Sequence, residues 1–136
     1  MLDITPLKNA ANQLEQSLIY TEGELAKKDP KLHLLLRAAA IQAFEFTFEL
    51  SIKMLERQLN IMAIAANIDK LAYRDLLRVG AEKGLIDNPV VWFDYREKRN
   101  ITSHTYDIAK AELIYKVLPE FLRHVRSFIK HLEAKQ

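Results

Sequence analysis

Lys31-Leu32-His33-Leu34-Leu35-Leu36-Arg37-Ala38-Ala39-Ala40-Ile41-Gln42-Ala43-Phe44-Glu45-Phe46-Thr47-Phe48-Glu49-Leu50-Ser51-Ile52-Lys53-Met54-Leu55-Glu56-Arg57-Gln58-Leu59-Asn60 is the stretch that decides the fold. It contains neither glycine nor proline, and its apolar residues return at helical spacing. At about 100° per residue they fall on two stripes. Leu32, Leu36, Ala39, Ala43, Phe46, Leu50 and Met54 make one, and Leu34, Ile41, Phe44, Phe48, Ile52, Leu55 and Leu59 the other. Glu45, Glu49 and Glu56 occupy a strip between them. A helix apolar on two faces is covered on both, either by helices of its own chain or by a second subunit. A chain of 136 residues has few helices to spare, which favours a homodimer.

Upstream, Thr5-Pro6 reads as a helix start, a capping hydroxyl followed by proline at the first helical position. Leu7, Ala10, Leu14, Leu18 and Leu25 continue that helix to about Lys28, and Asp29-Pro30 turns the chain into the long helix. Downstream, Ile61 to Asn67 reads as a connection or a ragged helix end. Asp69 is placed to cap a helix through Leu71, Leu76 and Val79, which Gly84 stops. Asp87-Asn88-Pro89 starts another, carrying Val90, Val91, Trp92, Phe93 and Tyr95, with Trp92 as a core or interface anchor. Asp107 caps a last helix whose stripe runs through Ala111, Ile114, Leu118, Phe121, Leu122, Val125, Ile129 and Leu132. Pro119 lies inside it and is expected to kink or split it. With three glycines, four prolines and no sustained alternation, the expectation is an all-α fold in one domain, residues 1–136.

The composition, 49% hydrophobic and 28% charged, is that of a globular protein rather than a disordered or fibrous one. A formal net charge of +2 permits nucleic-acid contact without requiring it. The absence of cysteine removes disulfides, thiolate nucleophiles and thiolate zinc sites. No metal site is expected, since His33, His124 and His131 lack a carboxylate arrangement suited to one and read as exposed or capping residues. No cofactor fingerprint is present. The beginning lacks a signal-peptide pattern, and the apolar runs are too short to span a membrane, so the expected location is cytoplasmic. The basic run Arg123, His124, Arg126, Lys130, His131 and Lys135 reads as a solvated face or an RNA-guiding patch.

The most polar stretch is Tyr95 to Asp107. Arg96, Arg99, Asn100 and Ser103 share one helical face at i, i+3, i+4 and i+7. On one continuous helix, Arg99 and His104 would point about 140° apart, so a shared site requires the helix to end near Thr102 or Ser103. With a break there, His104 can act as general base or acid and Arg99 can hold a phosphate bidentately. Asn100 can orient the histidine or the nucleotide, and Tyr106 can stack on a base. A cap and surface ion pairs are the plainer reading. Glu45 and Glu49 read as solvating the helix or pairing with a lysine or arginine.

Arg99-Asn100-Ile101-Thr102-Ser103-His104-Thr105-Tyr106 resembles the signature of HEPN-domain proteins: arginine, four residues led by a polar one, histidine, one residue, tyrosine. Phe44 to Leu50, Ala81-Glu82-Lys83-Gly84-Leu85-Ile86 and Trp92 are similar to the branch of substrate-binding subunits of minimal nucleotidyltransferases. The resemblance implies an antiparallel up-and-down bundle of four or five helices that forms a homodimer. It also implies a minimal nucleotidyltransferase as partner, often as a toxin and antitoxin pair. HEPN toxins are metal-independent RNases with a composite cleft at the dimer interface, which makes Arg99 and His104 the catalytic candidates. Arg96, Asn100, Ser103 and Tyr106 are the substrate-binding candidates, and Tyr106 is also the position at which related partners attach AMP. Three readings follow: a partner and acceptor subunit, an active ribonuclease toxin, and a dimeric scaffold without a nucleotide site.

Overall fold

The computed structural model describes residues 1–63 and 67–136, and those residues form an all-helical bundle. The order is α1 (Thr5–Thr21), α2 (Glu24–Lys28), α3 (Pro30–Ile61), α4 (Tyr73–Glu82), α5 (Pro89–Asn100) and α6 (Ile108–Ala134). Single 3-10 turns lie at Ile68–Lys70 and Thr102–His104. Of the stretch Ile61 to Asn67, residues 64–66 lie outside the described residues; Ile61 ends α3, and Met62 caps it.

Side-chain pairings give the directions. His33 at the start of α3 reaches the Thr21 carbonyl at the end of α1 (3.3 Å), so α1 and α3 run antiparallel. Lys8 pairs with Glu133 (2.7 Å) and Tyr115 donates to Glu22 (2.5 Å), so α6 opposes α1 as well. Along α5, Trp92 faces Phe48 and Phe128, while further on Tyr95 faces Phe121 and His124 and Arg99 reaches Glu45, so α5 opposes both α3 and α6. α1, α3, α5 and α6 are therefore an up-and-down four-helix bundle, with α2 and α4 as short additions.

Four start and stop signals act as read, Asp107 at the start of α6 among them, and two do not. Asp29 accepts from the Lys31 and Leu32 amides, and Asn88 accepts from Val90 (3.0 Å). Gly84 follows α4 with φ of 75°, the left-handed conformation that glycine adopts without a Cβ clash. Thr5, however, lies inside α1, and its amide is bonded instead by the Asp3 carboxylate (3.0 Å), which those bonds hold below its usual pKa. Asp69 sits in a 3-10 turn, and α4 begins later, after Ala72, with no side-chain cap. The first helix also breaks sooner than its periodicity suggests, at Glu22-Gly23. Leu25 then lands on α2 facing solvent, 74% exposed. Pro119 does not split α6, which is continuous across it.

The two stripes of α3 have different fates. Ile41, Phe44, Phe48, Leu55 and Leu59 are buried, whereas Ala39 and Phe46 of the first stripe are exposed and only Met54 of it is fully covered. One arc between the stripes carries the glutamates. The other carries Ala40, Thr47, Ser51 and Gln58, all buried. Thr47 donates to the Ala43 carbonyl (2.6 Å) and Ser51 to that of Thr47 (2.8 Å), so these hydroxyls enter the core already satisfied. Phe44 to Leu50 does alternate apolar and polar residues over a strand's length, an exception to the lack of alternation noted above. The helix wins because Phe44 and Phe48 are one turn apart on the buried face and Phe46 points outward. Trp92, Tyr95, Phe44, Phe121 and Phe128 interlock edge to face at the centre, with Phe44 and Phe121 centroids 4.8 Å apart. Gly80 lets α4 approach α3, since a Cβ there would meet a Leu55 methyl at 2.9 Å.

Candidate functional site

The joint between α5 and α6 carries the polar cluster. α5 ends at Asn100, the Thr102–His104 turn follows, and Asp107 starts α6 by accepting from the Lys110 amide (3.2 Å). Thr102 has a local cause to stop the helix, because its hydroxyl lies 2.8 Å from the Arg99 carbonyl, within donating distance. The chain thus bends between Arg99 and His104, and the two need not project as they would from a continuous helix.

Arg99 turns toward α3. Its Nε donates to Glu49 (3.0 Å), a terminal nitrogen also contacts Glu49, and the other lies 3.7 Å from Glu45 and 3.4 Å from the Thr102 hydroxyl. Thr102 is also in contact with the Glu45 carboxylate. Glu45 and Glu49 therefore pair with an arginine, and together with the buried Thr102 they hold its guanidinium in one place. Spacing alone did not connect these residues, because the partners come from a helix some fifty positions earlier.

His104 is exposed on the turn, where its Nδ1 lies 3.3 Å from the Tyr106 hydroxyl. Tyr106 is 82% exposed and its ring lines a small cleft with Leu34, Arg37, Ala38 and Ile108. Arg37, buried on the same cleft, pairs with the exposed Glu112 of α6. Arg99 and Asn100 instead line a cleft of about 440 Å³ with Phe48, Tyr73 and Arg96, of which His104 and Tyr106 are not part. Arg96 lies over the Tyr73 ring at 4.4 Å. Ser103 is exposed on the turn. The structure thus joins His104 with Tyr106, and Arg96 with Asn100 and Arg99, as two separate groups near one joint.

The remaining histidines bridge elements rather than stand free. His124 Nδ1 lies 2.5 Å from the Tyr95 hydroxyl, whose pKa burial pushes up. His131 meets Asp87 at 2.8 Å, and Ser127 donates to the same carboxylate (2.5 Å). These bonds, that of Ser127 foremost, hold Asp87 below the usual carboxylate range. Arg126 of the basic run pairs with Glu15 and Asn12 on α1. Among the described residues, no three or more His, Asp or Glu side chains gather as a metal-binding group, and no helix is long and apolar enough to cross a membrane.

Known proteins share this architecture and sequence. The chain is 48% identical over 101 residues to a Haemophilus influenzae protein named probable ribonuclease HepT, covering 74% of this chain and 69% of that one. A solved Haemophilus influenzae structure, described as revealing the fold of a substrate binding domain of a nucleotidyltransferase, superposes with a TM-score of 0.90 at 36% identity. That match covers 96% of this chain and 99% of the other. A Thermus thermophilus structure shares the fold at 23% identity and a TM-score of 0.74, over 93% and 98% of the two chains. Residues 2–134 match the family described as nucleotidyltransferase substrate binding protein like, and the chain belongs to that family.

Proposed function

We propose that the chain is the partner subunit of a minimal nucleotidyltransferase and that its Tyr106 hydroxyl accepts the transferred nucleotidyl group. The observation that carries this reading is the pair at the joint: a phenol 82% exposed, with an imidazole nitrogen 3.3 Å from its oxygen. His104 takes the phenol proton as the oxygen bonds to the α-phosphorus of a nucleoside triphosphate held by the transferase. The bond from that phosphorus to the bridging oxygen breaks, and pyrophosphate leaves. Family membership and the solved relative described as a nucleotidyltransferase substrate binding domain support the partnership. The reading takes residues 1–136 as one cytoplasmic domain that works as a homodimer, in a pair of the toxin and antitoxin kind.

Intact-mass measurement after incubation with the cognate transferase and ATP tests it. A gain of AMP units is expected in the parent, none in Tyr106→Phe, and a slower gain in His104→Ala. Equal modification of Tyr106→Phe would remove Tyr106 from the role.

A second reading has one observation of its own, the 48% identity to a protein named probable ribonuclease. Here Arg99 and His104 are catalytic groups of a metal-independent endoribonuclease, their cleft completed across the dimer. Arg99 exchanges Glu45 and Glu49 for the scissile phosphate, Arg96, Asn100 and Ser103 hold the strand, and His104 serves the 2′-hydroxyl or the leaving oxygen. RNA cleavage in EDTA, abolished in both Arg99→Ala and His104→Ala, is the result expected from this reading.

A further inference from the structure

We propose that the cleft between α4 and α5 is a binding site for a nucleotide phosphate, with Arg74 and Arg96 as its anion-holding residues. The site extends the strand-holding role given above to Arg96 and Asn100, and binding there requires neither the acceptor role of Tyr106 nor a cleavage step. It is a cavity of about 540 Å³ lined by Tyr73, Arg74, Phe93, Arg96, Glu97 and Asn100. It adjoins the cleft of Arg99, with which it shares Tyr73, Arg96 and Asn100.

All cation–π contacts among the described residues gather here. The Arg74 guanidinium lies 4.5 Å from the Phe93 centroid, Arg78 5.9 Å from the same ring, and Arg96 4.4 Å from that of Tyr73. The platforms are fixed. Tyr73 donates to the Trp92 carbonyl (2.8 Å), and burial raises its pKa so that the phenol stays protonated. Among the described residues Arg74 and Arg96 form no ion pair, whereas Arg37, Arg99 and Arg126 are each committed to a carboxylate. Two cations thus face the cleft with no carboxylate within ion-pair distance among the described residues, Glu97 being the one acidic side chain of its lining.

A guanidinium held over a ring keeps its N–H edge and its outer face available. The edge matches two phosphate oxygens, and the face stacks a base. Asn100 supplies both a donor and an acceptor for a base edge. Glu97 repels phosphate from its own side of the cleft and can accept from a ribose hydroxyl, so it orients the ligand toward Arg74 and Arg96. The shared chemistry is a nucleoside phosphate, free or as one link of a single-stranded RNA running into the neighbouring cleft.

Fluorescence anisotropy of the full chain with a labelled single-stranded RNA, and separately with a labelled ATP, across a salt series, tests the site. Arg74→Gln and Arg96→Gln are each expected to weaken binding by about tenfold. With RNA, the double variant lowers the salt slope by about 1.4, at about 0.7 per lost phosphate contact. Losses confined to ATP assign the site to free nucleotide, and losses with RNA assign it to a strand. No binding of either ligand by the parent, or unchanged affinity and salt slope in the double variant with an unchanged unfolding midpoint, overturns the proposal.

Discussion

Arg99 carries one positive charge and meets two negative ones, and this local excess says more about the joint than its signature does. Each contact is part-exposed and contributes no more than about 1 kcal/mol to stability, so the trio positions the guanidinium more than it holds the bundle together. The identities and spacing of Arg99, His104 and Tyr106 were legible in the sequence, as was the break they need, because Thr102 and Asp107 signal it locally. Glu45 and Glu49 were legible as pairing residues but not as partners of Arg99, and the roles of Tyr73 and Phe93 were not legible at all. Such pairings depend on which faces of distant helices meet. Asp87 belongs to the same scale. Its folded pKa lies below the ordinary carboxylate value, so its bonds to Ser127 and His131 stabilise the fold at neutral pH. That stability is lost as pH falls from the ordinary value through the folded one. Asp87→Asn is expected to lower the urea midpoint at pH 7, and the difference from the parent is expected to vanish in strong acid.

At the scale of elements, caps and cores make separable predictions. Asp29 accepts from two amides at the start of α3, so Asp29→Ala should cost about 1 kcal/mol by denaturant unfolding. Thr5→Ala should cost much less, because Asp3 supplies the bond to the amide that remains. Phe44, fully buried against Phe121, should cost about 3–5 kcal/mol as alanine. The long helices were readable because their periodicity runs far beyond a strand's length. The short ones were not: α2 arises from a break at Gly23 that no proline marks, and α4 starts without a capping side chain. The buried line of α3 was also hidden, since Thr47, Ser51 and Gln58 look like surface residues until their hydrogen bonds are known.

For the whole molecule, the first stripe of α3 poses the question of association. Phe46 is 57% exposed, and Leu35 on the same helix is 70% exposed, which is apolar surface of the sort a second subunit covers. In the proposed homodimer, Phe46→Glu is expected to shift sedimentation toward monomer while leaving the far-UV CD spectrum unchanged. An unchanged oligomeric state would move the interface elsewhere.

The bonds at the end of α6 have a practical corollary. Gln136 accepts from the Leu2 amide (2.8 Å) and donates to Gln58 near the end of α3 (2.9 Å), which brings residues 2 and 136 to one pole. Arg37, beside Tyr106, lies nearly six turns earlier on α3, about 30 Å away at 1.5 Å per residue. An affinity handle or surface tether fused at either extremity therefore leaves the tyrosine pole directed away from the support.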